Sequence, residues 1–374
     1  MIVGVPKEVK DNEFRVALTP EGARELTAAG HQVLVQESAG DGSSLYEDRY
    51  KRAGAEFVSS AEDVWRQADM IMKVKEPIES EYGLMRDNQI LFTYLHLAAV
   101  RSLTESLVER NVRAVAYETV EDEFHRLPLL APMSEVAGRM APHVGARLQE
   151  KEYGGRGVLM GGVSGVRPAK VLVLGAGMAG ANAAWIAAGM EAEVIVVDKN
   201  LDKLRLIDQI HRGRIMTLMS DRLTLEQRVR ECDILIGTVL VPGAKAPKLV
   251  SEEMVESMRP GSVIIDISID QGGSVETSHM TTHSDPTYLL HDVVHYAVGN
   301  MPGAVPNTST YALTNVTLPF ALEIANRGLE DAIRRDPSLA KGVNAYGGKL
   351  TNEGVAEAHG MEAVPLSSVV DGVG

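Results

Sequence analysis

Val171-Leu-Val-Leu-Gly175-Ala-Gly177-Met-Ala-Gly180 is the stretch on which the fold of this chain turns. Four β-favouring apolar residues run straight into three glycines, and an alanine-rich stretch to Met190 follows. About 20 apolar residues would cross a bilayer, and Val171 to Met190 contains no charge. Four glycines and Asn182 inside it favour strand, tight turn and helix instead. Gly175 permits the turn, Gly177 lets backbone amides approach a pyrophosphate, and Gly180 lets the helix pack on the strand. The helix N-terminus adds partial positive charge. Asp198 ends the next apolar run, 18 residues after Gly180 and 23 after Gly175. A carboxylate at that spacing suits a ribose hydroxyl and repels a 2′-phosphate, so NAD is expected rather than NADP. FAD shares the fingerprint, but the mid-chain position and lack of further flavin features argue against it. Gly175, Gly177, Met178, Ala179, Gly180 and Asp198 are the expected contacts at this turn.

Outward from this unit, apolar runs alternate with helical stretches. Downstream strands are expected at Glu193–Val197, Asp233–Gly237 and Ser262–Ile267, with another near Tyr296–Val298. Upstream, Ile2–Val5, Gln32–Val35, Met70–Val74, Ile90–Tyr94 and Ala114–Tyr117 read the same way. Strands alternating with helices imply parallel βαβ units. Thr19-Pro20-Glu21 opens a helix with a cap and a first-position proline. Ser134 is a good cap type for a helix starting there. The glycines between Gly154 and Gly165 suggest a flexible connection ending at Pro168. After Pro306, Leu318, Leu322 and Ala325 stand at helical spacing. The tail after Leu339 carries little pattern. The fold class expected is α/β, with two Rossmann-like doubly wound parallel sheets.

Of 374 residues, 45% are hydrophobic and 24% charged, which fits a globular chain of about two domains. The net charge of −14 argues against a nucleic-acid partner, which would need clustered cations. Charges at Lys7, Glu8, Lys10, Asp11 and Glu13 interrupt any signal-like run, and the single cysteine, Cys232, cannot make an internal disulfide. A reducing, cytoplasmic setting without membrane association is the expectation.

Further segments are familiar. Gly4-Val-Pro-Lys-Glu8, Asn12-Glu-Phe-Arg15-Val-Ala17, Lys73-Val-Lys75-Glu-Pro77 and Phe92-Thr-Tyr-Leu-His96-Leu-Ala-Ala99 stand in the first third. Pro132-Met-Ser134-Glu-Val-Ala-Gly138, Pro242 to Val250, Asp266-Ile-Ser-Ile-Asp270-Gln-Gly-Gly273 and Thr308 to Asn315 follow. Together they resemble the bacterial alanine dehydrogenases of the alanine dehydrogenase/pyridine nucleotide transhydrogenase family, from Met1 to about Lys341. The transhydrogenase subunits and the lysine-forming saccharopine dehydrogenases share the fold and the early Arg motif. The pairing of His96 with Asp270 is characteristic of the alanine enzymes. The resemblance implies a discontinuous substrate domain, 1–130 and 307–374, with the NAD domain, 131–306, inserted. It also implies a homohexamer acting in L-alanine catabolism, with L-alanine, pyruvate and ammonium as small-molecule partners.

By resemblance, Arg15 binds the substrate carboxylate with its planar fork, and Lys75 polarises the carbonyl oxygen. Lys73 would face the same side of a strand, and only the motif favours Lys75. His96 and Asp270 handle protons as ammonia adds and water leaves; histidine's ordinary pKa suits such work. Blander readings stand beside these: a surface Arg15 paired with Glu13, a structural His96, a turn aspartate at Asp270. Further cofactor contacts carried over are Ser134 as a phosphate-side helix cap, with Lys203 and Ser220 at the adenosine. Val239, Leu240, Ile267, Ser268, Ile269, Asp270, Val298, Gly299, Asn300 and Met301 would line the nicotinamide side. His279 stands where some relatives carry an arginine, which weakens the resemblance's case for an adenosine contact there. Glu323 and Arg327 read as a helix ion pair, and no metal site is expected among the histidines.

Overall fold

The chain's computed structural model describes residues 1–239 and 246–372. It divides into two units, Met1–Met133 with Val305–Gly374 and Ser134–Ala304. In the first, β1 (Ile2–Val5), β2 (Gln32–Gln36), β3 (Glu56–Val58), β4 (Met70–Met72), β5 (Ile90–Thr93) and β6 (Arg113–Ala116) alternate with helices. The second unit contributes β7 (Lys170–Leu174), β8 (Glu193–Asp198), β9 (Ile215–Met219), β10 (Ile234–Gly237), β11 (Val263–Asp266), β12 (Thr287–Leu290) and β13 (Val293–Tyr296). The chain then returns to the first sheet with β14 (Val343–Tyr346) and β15 (Lys349–Leu350).

Each sheet repeats one topology. The first runs β3-β2-β1-β4-β5-β6-β14-β15, the second β9-β8-β7-β10-β11-β13-β12. The six strands from β3 to β6, and from β9 to β13, are parallel; β14 pairs antiparallel with β6, β15 with β14 and β12 with β13, leaving β15 and β12 as edges. Both are doubly wound, and each reverses strand order at one point, between β1 and β4 and between β7 and β10. Such sheets place ligands beyond the strand carboxyl ends at that reversal.

Burial explains the apolar runs. In the second unit Val171, Val173, Ile234 and Ile236 face one core while Leu172, Leu174, Leu235 and Ile264 face another. Helices on both faces require strands that are hydrophobic on both sides. In the first unit Ile71 and Leu91 pack with Val64, Trp65, Leu103 and Leu107.

Several expectations need correction. Ser134 is no cap: the helix begins at Ala131, with Pro132 inside its first turn and Ser134 following. A turn closed by Ala131 N on Leu127 O starts it earlier. The glycine-rich connection is packed rather than loose. A Cβ at Gly155 would lie 2.2 Å from Leu148 O, and Arg156 and Arg167 each reach Asp233 at 2.8 Å. The helix expected after Pro306 is present as Pro306–Arg327 and buries Ala325 with Leu313, Thr317, Ala321 and Ile324, whereas Leu318 and Leu322 are half-buried. Strands β3, β9, β12, β14 and β15 were not expected, and the strand placed at Tyr296–Val298 lies at Val293–Tyr296.

Candidate active site

In the first unit the chain leaves β1, β4, β5 and β6 into short irregular segments that carry charge. Arg15 follows β1 and is 2% exposed, so it is not a surface residue. Glu13 holds it with Oε1 on Nε at 2.7 Å and Oε2 on Nη2 at 2.5 Å. Nη1 lies 3.0 Å from the Met133 sulfur. Burial alone would discourage the charge, but the Glu13 carboxylate, with Tyr94 and Glu8, holds the guanidinium pKa above its ordinary value. Lys73, fully buried after β4, lies 2.9 Å from Glu81 and 3.2 Å from Glu8. Burial opposes its charge and the two glutamates outweigh it. Glu8 also accepts the Val74 amide at 2.6 Å. Lys73 is thus committed to an internal ion cluster, while Lys75, one alternation on, is half-buried.

His96 follows β5 with φ 48° and ψ 37°, a left-handed conformation. It costs an ordinary L-residue roughly 1–2 kcal/mol, although histidine visits it more readily than most. Glu118, beyond β6, accepts the His96 amide at 2.6 Å and the Leu95 amide at 3.1 Å. The His96 ring stacks on Tyr94 at 5.9 Å and 13°. Tyr94 donates its hydroxyl to Leu129 O at 2.5 Å, and burial raises its pKa. Glu76 is buried and ion-paired to Lys10. Burial would raise its pKa, yet Lys75, His96 and Lys10 together lower it. Arg15, Tyr94, His96, Glu76 and Lys75 therefore form one electrostatic neighbourhood at the strand carboxyl ends.

The second unit suits a dinucleotide. Gly175 adopts φ 102°, and a Cβ at Gly180 would sit 1.9 Å from Gly175 O. No side chain caps the helix Met178–Gly189 at Gly177, so its first-turn amides remain for an anion. Asp198 accepts the Ala176 amide at 2.6 Å and the Asn200 amide at 2.7 Å. Asn200 in turn caps its helix on the amides of Asp202 and Lys203, and Ser220 N meets Asp198 O at 3.0 Å. Asp198, Lys203 and Ser220 thus gather beside the glycine turn. Val239 lies 3.3 Å from where a Gly175 Cβ would be. Leu240 is outside the described residues.

Beyond β11, the turn Ile267–Gln271 carries Ser268, Ile269 and an exposed Asp270. Asp266 caps it and anchors the following loop through Ser274 and Val275 at 2.8 and 3.1 Å. The Ser268 hydroxyl is buried with no hydrogen-bond partner among the described residues. Asp270 meets the segment Val298–Met301 through the Asn300 amide at 3.4 Å, and would lie 3.1 Å from a Cβ at Gly299. Ser134, inside its helix, stands one turn before Gly138, where a Cβ would come within 2.2 Å of Ala179 O. The His279 ring stacks on Tyr288 at 3.7 Å.

Glu8, Tyr94, Glu118 and Asp266 escaped the sequence reading. Glu8, Glu118 and Asp266 are acidic residues at or just past strand ends, where a carboxylate can replace ladder partners the sheet no longer supplies. That position was the available signal. Elsewhere the structure gathers Glu252, Glu256 and His291 on the surface, with candidate ligand atoms all within 4.8 Å. His291 Nε2 there lies 2.8 Å from a Glu252 carboxylate oxygen. Glu323 pairs with Arg327 one turn away. Cys232 is buried, with burial and Asp233 pushing its thiol to about 12. No helix among the described residues is long and apolar enough to cross a membrane.

Comparison with known proteins adds to this geometry. The family profile "Alanine dehydrogenase/PNT, C-terminal domain" matches residues 141–353, and its N-terminal counterpart matches 4–137. The chain is similar to the alanine dehydrogenase of Methanococcus maripaludis, 52% identical over 99% of this chain and 100% of that one. It is similar to that of Mycobacterium tuberculosis, 54% identical over 99% of this chain and 100% of that one. A solved L-alanine dehydrogenase structure superposes with a TM-score of 0.93 at 49% identity, covering 96% of this chain and 99% of that one.

Proposed function

The chain belongs to the alanine dehydrogenase/pyridine nucleotide transhydrogenase family, and on that premise we propose that it reversibly deaminates L-alanine to pyruvate and ammonium with NAD. The observation that carries this is the grouping of Arg15, Tyr94, His96, Glu76 and Lys75 where the first sheet reverses order. A doubly wound nucleotide fold accompanies it in the same chain.

The residues divide the work. Arg15, held in place by Glu13 at Nε and Nη2 and lying against the Met133 sulfur at Nη1, is the residue proposed to meet the substrate carboxylate. Lys75 draws electron density from the ketone oxygen as ammonia adds. His96 gives and takes the proton as water leaves, and Asp270, in the second unit, handles the second proton. Gly175, Gly177, Met178, Ala179, Gly180, Asp198, Lys203, Ser220, Val239 and residues 267–270 and 298–301 hold the dinucleotide in this reading, with Ser134 beside them in its helix. Bound nicotinamide supplies the hydride acceptor or donor. The protein contributes orientation and fixed charge. Asp198, as the ribose partner, favours NAD over NADP. A cytoplasmic homohexamer serving alanine catabolism, bound to neither nucleic acid nor membrane, completes the proposal from family resemblance.

NADH absorbance with pyruvate and ammonium tests the reaction. Oxidation should require ammonium. Loss of NADH with pyruvate alone would indicate a lactate-type reaction, and turnover only with larger oxo acids would assign another amino acid.

A further inference from the structure

We propose that Glu118 is the positioning residue for His96, acting through the backbone rather than the imidazole. The inference rests on the functional reading above for its kinetic part. The ladder between β5 and β6 ends at the pair Thr93 and Ala116, so the amides just past β5 need other acceptors. Tyr94 N still reaches Val74 O at 3.4 Å. The next two amides, Leu95 and His96, both turn to the Glu118 carboxylate. Oε1 accepts His96 N at 2.6 Å and Leu95 N at 3.1 Å, and Oε2 accepts Leu95 N at 3.2 Å.

Two adjacent amides can converge on one carboxylate only if the chain bends between them. That bend falls at Leu95, between the two peptide planes, and His96 follows it at once in the left-handed conformation, φ 48° and ψ 37°. That conformation sends the side chain out of the strand's alternation. It also starts the turn Leu97–Ala99, closed by Ala99 N on His96 O at 2.9 Å. The Tyr94 ring, with its hydroxyl fixed on Leu129 O, then sets the plane of the imidazole at 13° to its own. Glu118 fixes where the imidazole starts and Tyr94 fixes how it lies. Without the carboxylate the Leu95–His96 peptide loses its anchor and the left-handed turn after it can relax, so the ring swings away from the neighbourhood of Lys75 and Arg15.

Glu118→Gln keeps size and one acceptor oxygen but turns an amide NH2 toward a backbone N–H. Its kcat should fall by about 10–100-fold, the cost of a misplacement near 1 Å. KM for pyruvate and NADH affinity should stay within about threefold, since both oxygens of this carboxylate are engaged by backbone amides. Glu118→Asp, too short to span the strand exits, should resemble Glu118→Ala, with Glu118→Gln between these and the parent. In a His96→Ala background the Gln substitution should leave the residual rate unchanged, because the group it places is gone. Thermal melting supplies a readout independent of activity. The loss caused by Glu118→Gln should shrink in His96→Gly, because glycine adopts the left-handed bend freely. Unchanged kcat, equal loss of NADH affinity, a further rate loss in the His96→Ala background, or strictly additive melting losses would each overturn the proposal. A parent protein inactive with pyruvate and ammonium would overturn the functional reading instead, and the melting cycle would still decide the coupling.

Discussion

Arg15 shows how one side chain can be both a structural ion and a proposed substrate ligand. Its charge survives burial because Glu13 meets two of its nitrogens in one plane. Lysine at this position keeps the charge but loses the planar fork that holds Glu13 and would bind a carboxylate. Arg15→Lys should therefore raise KM for pyruvate by roughly 10–100-fold, the equivalent of one charge-assisted hydrogen bond. NADH affinity measured by fluorescence should not change; a matching loss there would make Arg15 a general folding residue. The sequence pointed to Arg15, Lys75 and His96 through motifs, and left Lys73 and Lys75 equivalent by alternation. What separates them is three-dimensional: Glu8 and Glu81 close around Lys73. Glu8 and Glu81 lie on other segments, so no alternation within β4 points to them.

At the level of elements, the glycine turn was legible because strand, turn and helix each have their own periodicity in contiguous sequence. The edges were not. Strand β3 has three residues and β15 two, too few for a period to declare itself. In β9 only Ile215 is fully buried, so no continuous apolar run marks it. The helix Ala131–Leu148 was misplaced at its start because Ser134 looks like a cap and nothing local revealed the earlier turn. Its Gly138 makes an approach to Ala179 that admits no side chain. Gly138→Ala must push the two helices apart, at about 1–3 kcal/mol. Because Ala179 belongs to the glycine turn's helix, NADH affinity should fall along with Tm. A Tm loss with unchanged affinity would separate this packing from the nucleotide site.

For the molecule as a whole, Asp233 ties the segment between the helix ending at Leu148 and strand β7 to the second sheet. Burial would raise its pKa, but Arg167, the Lys170 amide and Arg156 prevail and lower it. A carboxylate held low stabilises the fold above the ordinary range near pH 4 and loses that contribution as pH falls through its folded value. Asp233→Asn should thus lower Tm at pH 7 by roughly 4–8 °C. The gap from the parent should narrow as pH is taken below 4, and an equal gap at both pH values would assign the effect to packing. Two doubly wound sheets could be anticipated from alternating runs, but pairing between β6 and β14 could not. Strand β14 has no pattern to distinguish it from the surrounding tail.

That pairing has a consequence for biosynthesis. Val343 lies against Val115, so the first sheet gains this strand only after every residue of the second unit has been translated. Domains ordinarily mature in the order they leave the ribosome. Here Ser134–Ala304 can close its cores while the amino-terminal sheet still waits with β6 as a bare edge. The unit that is begun first is finished last.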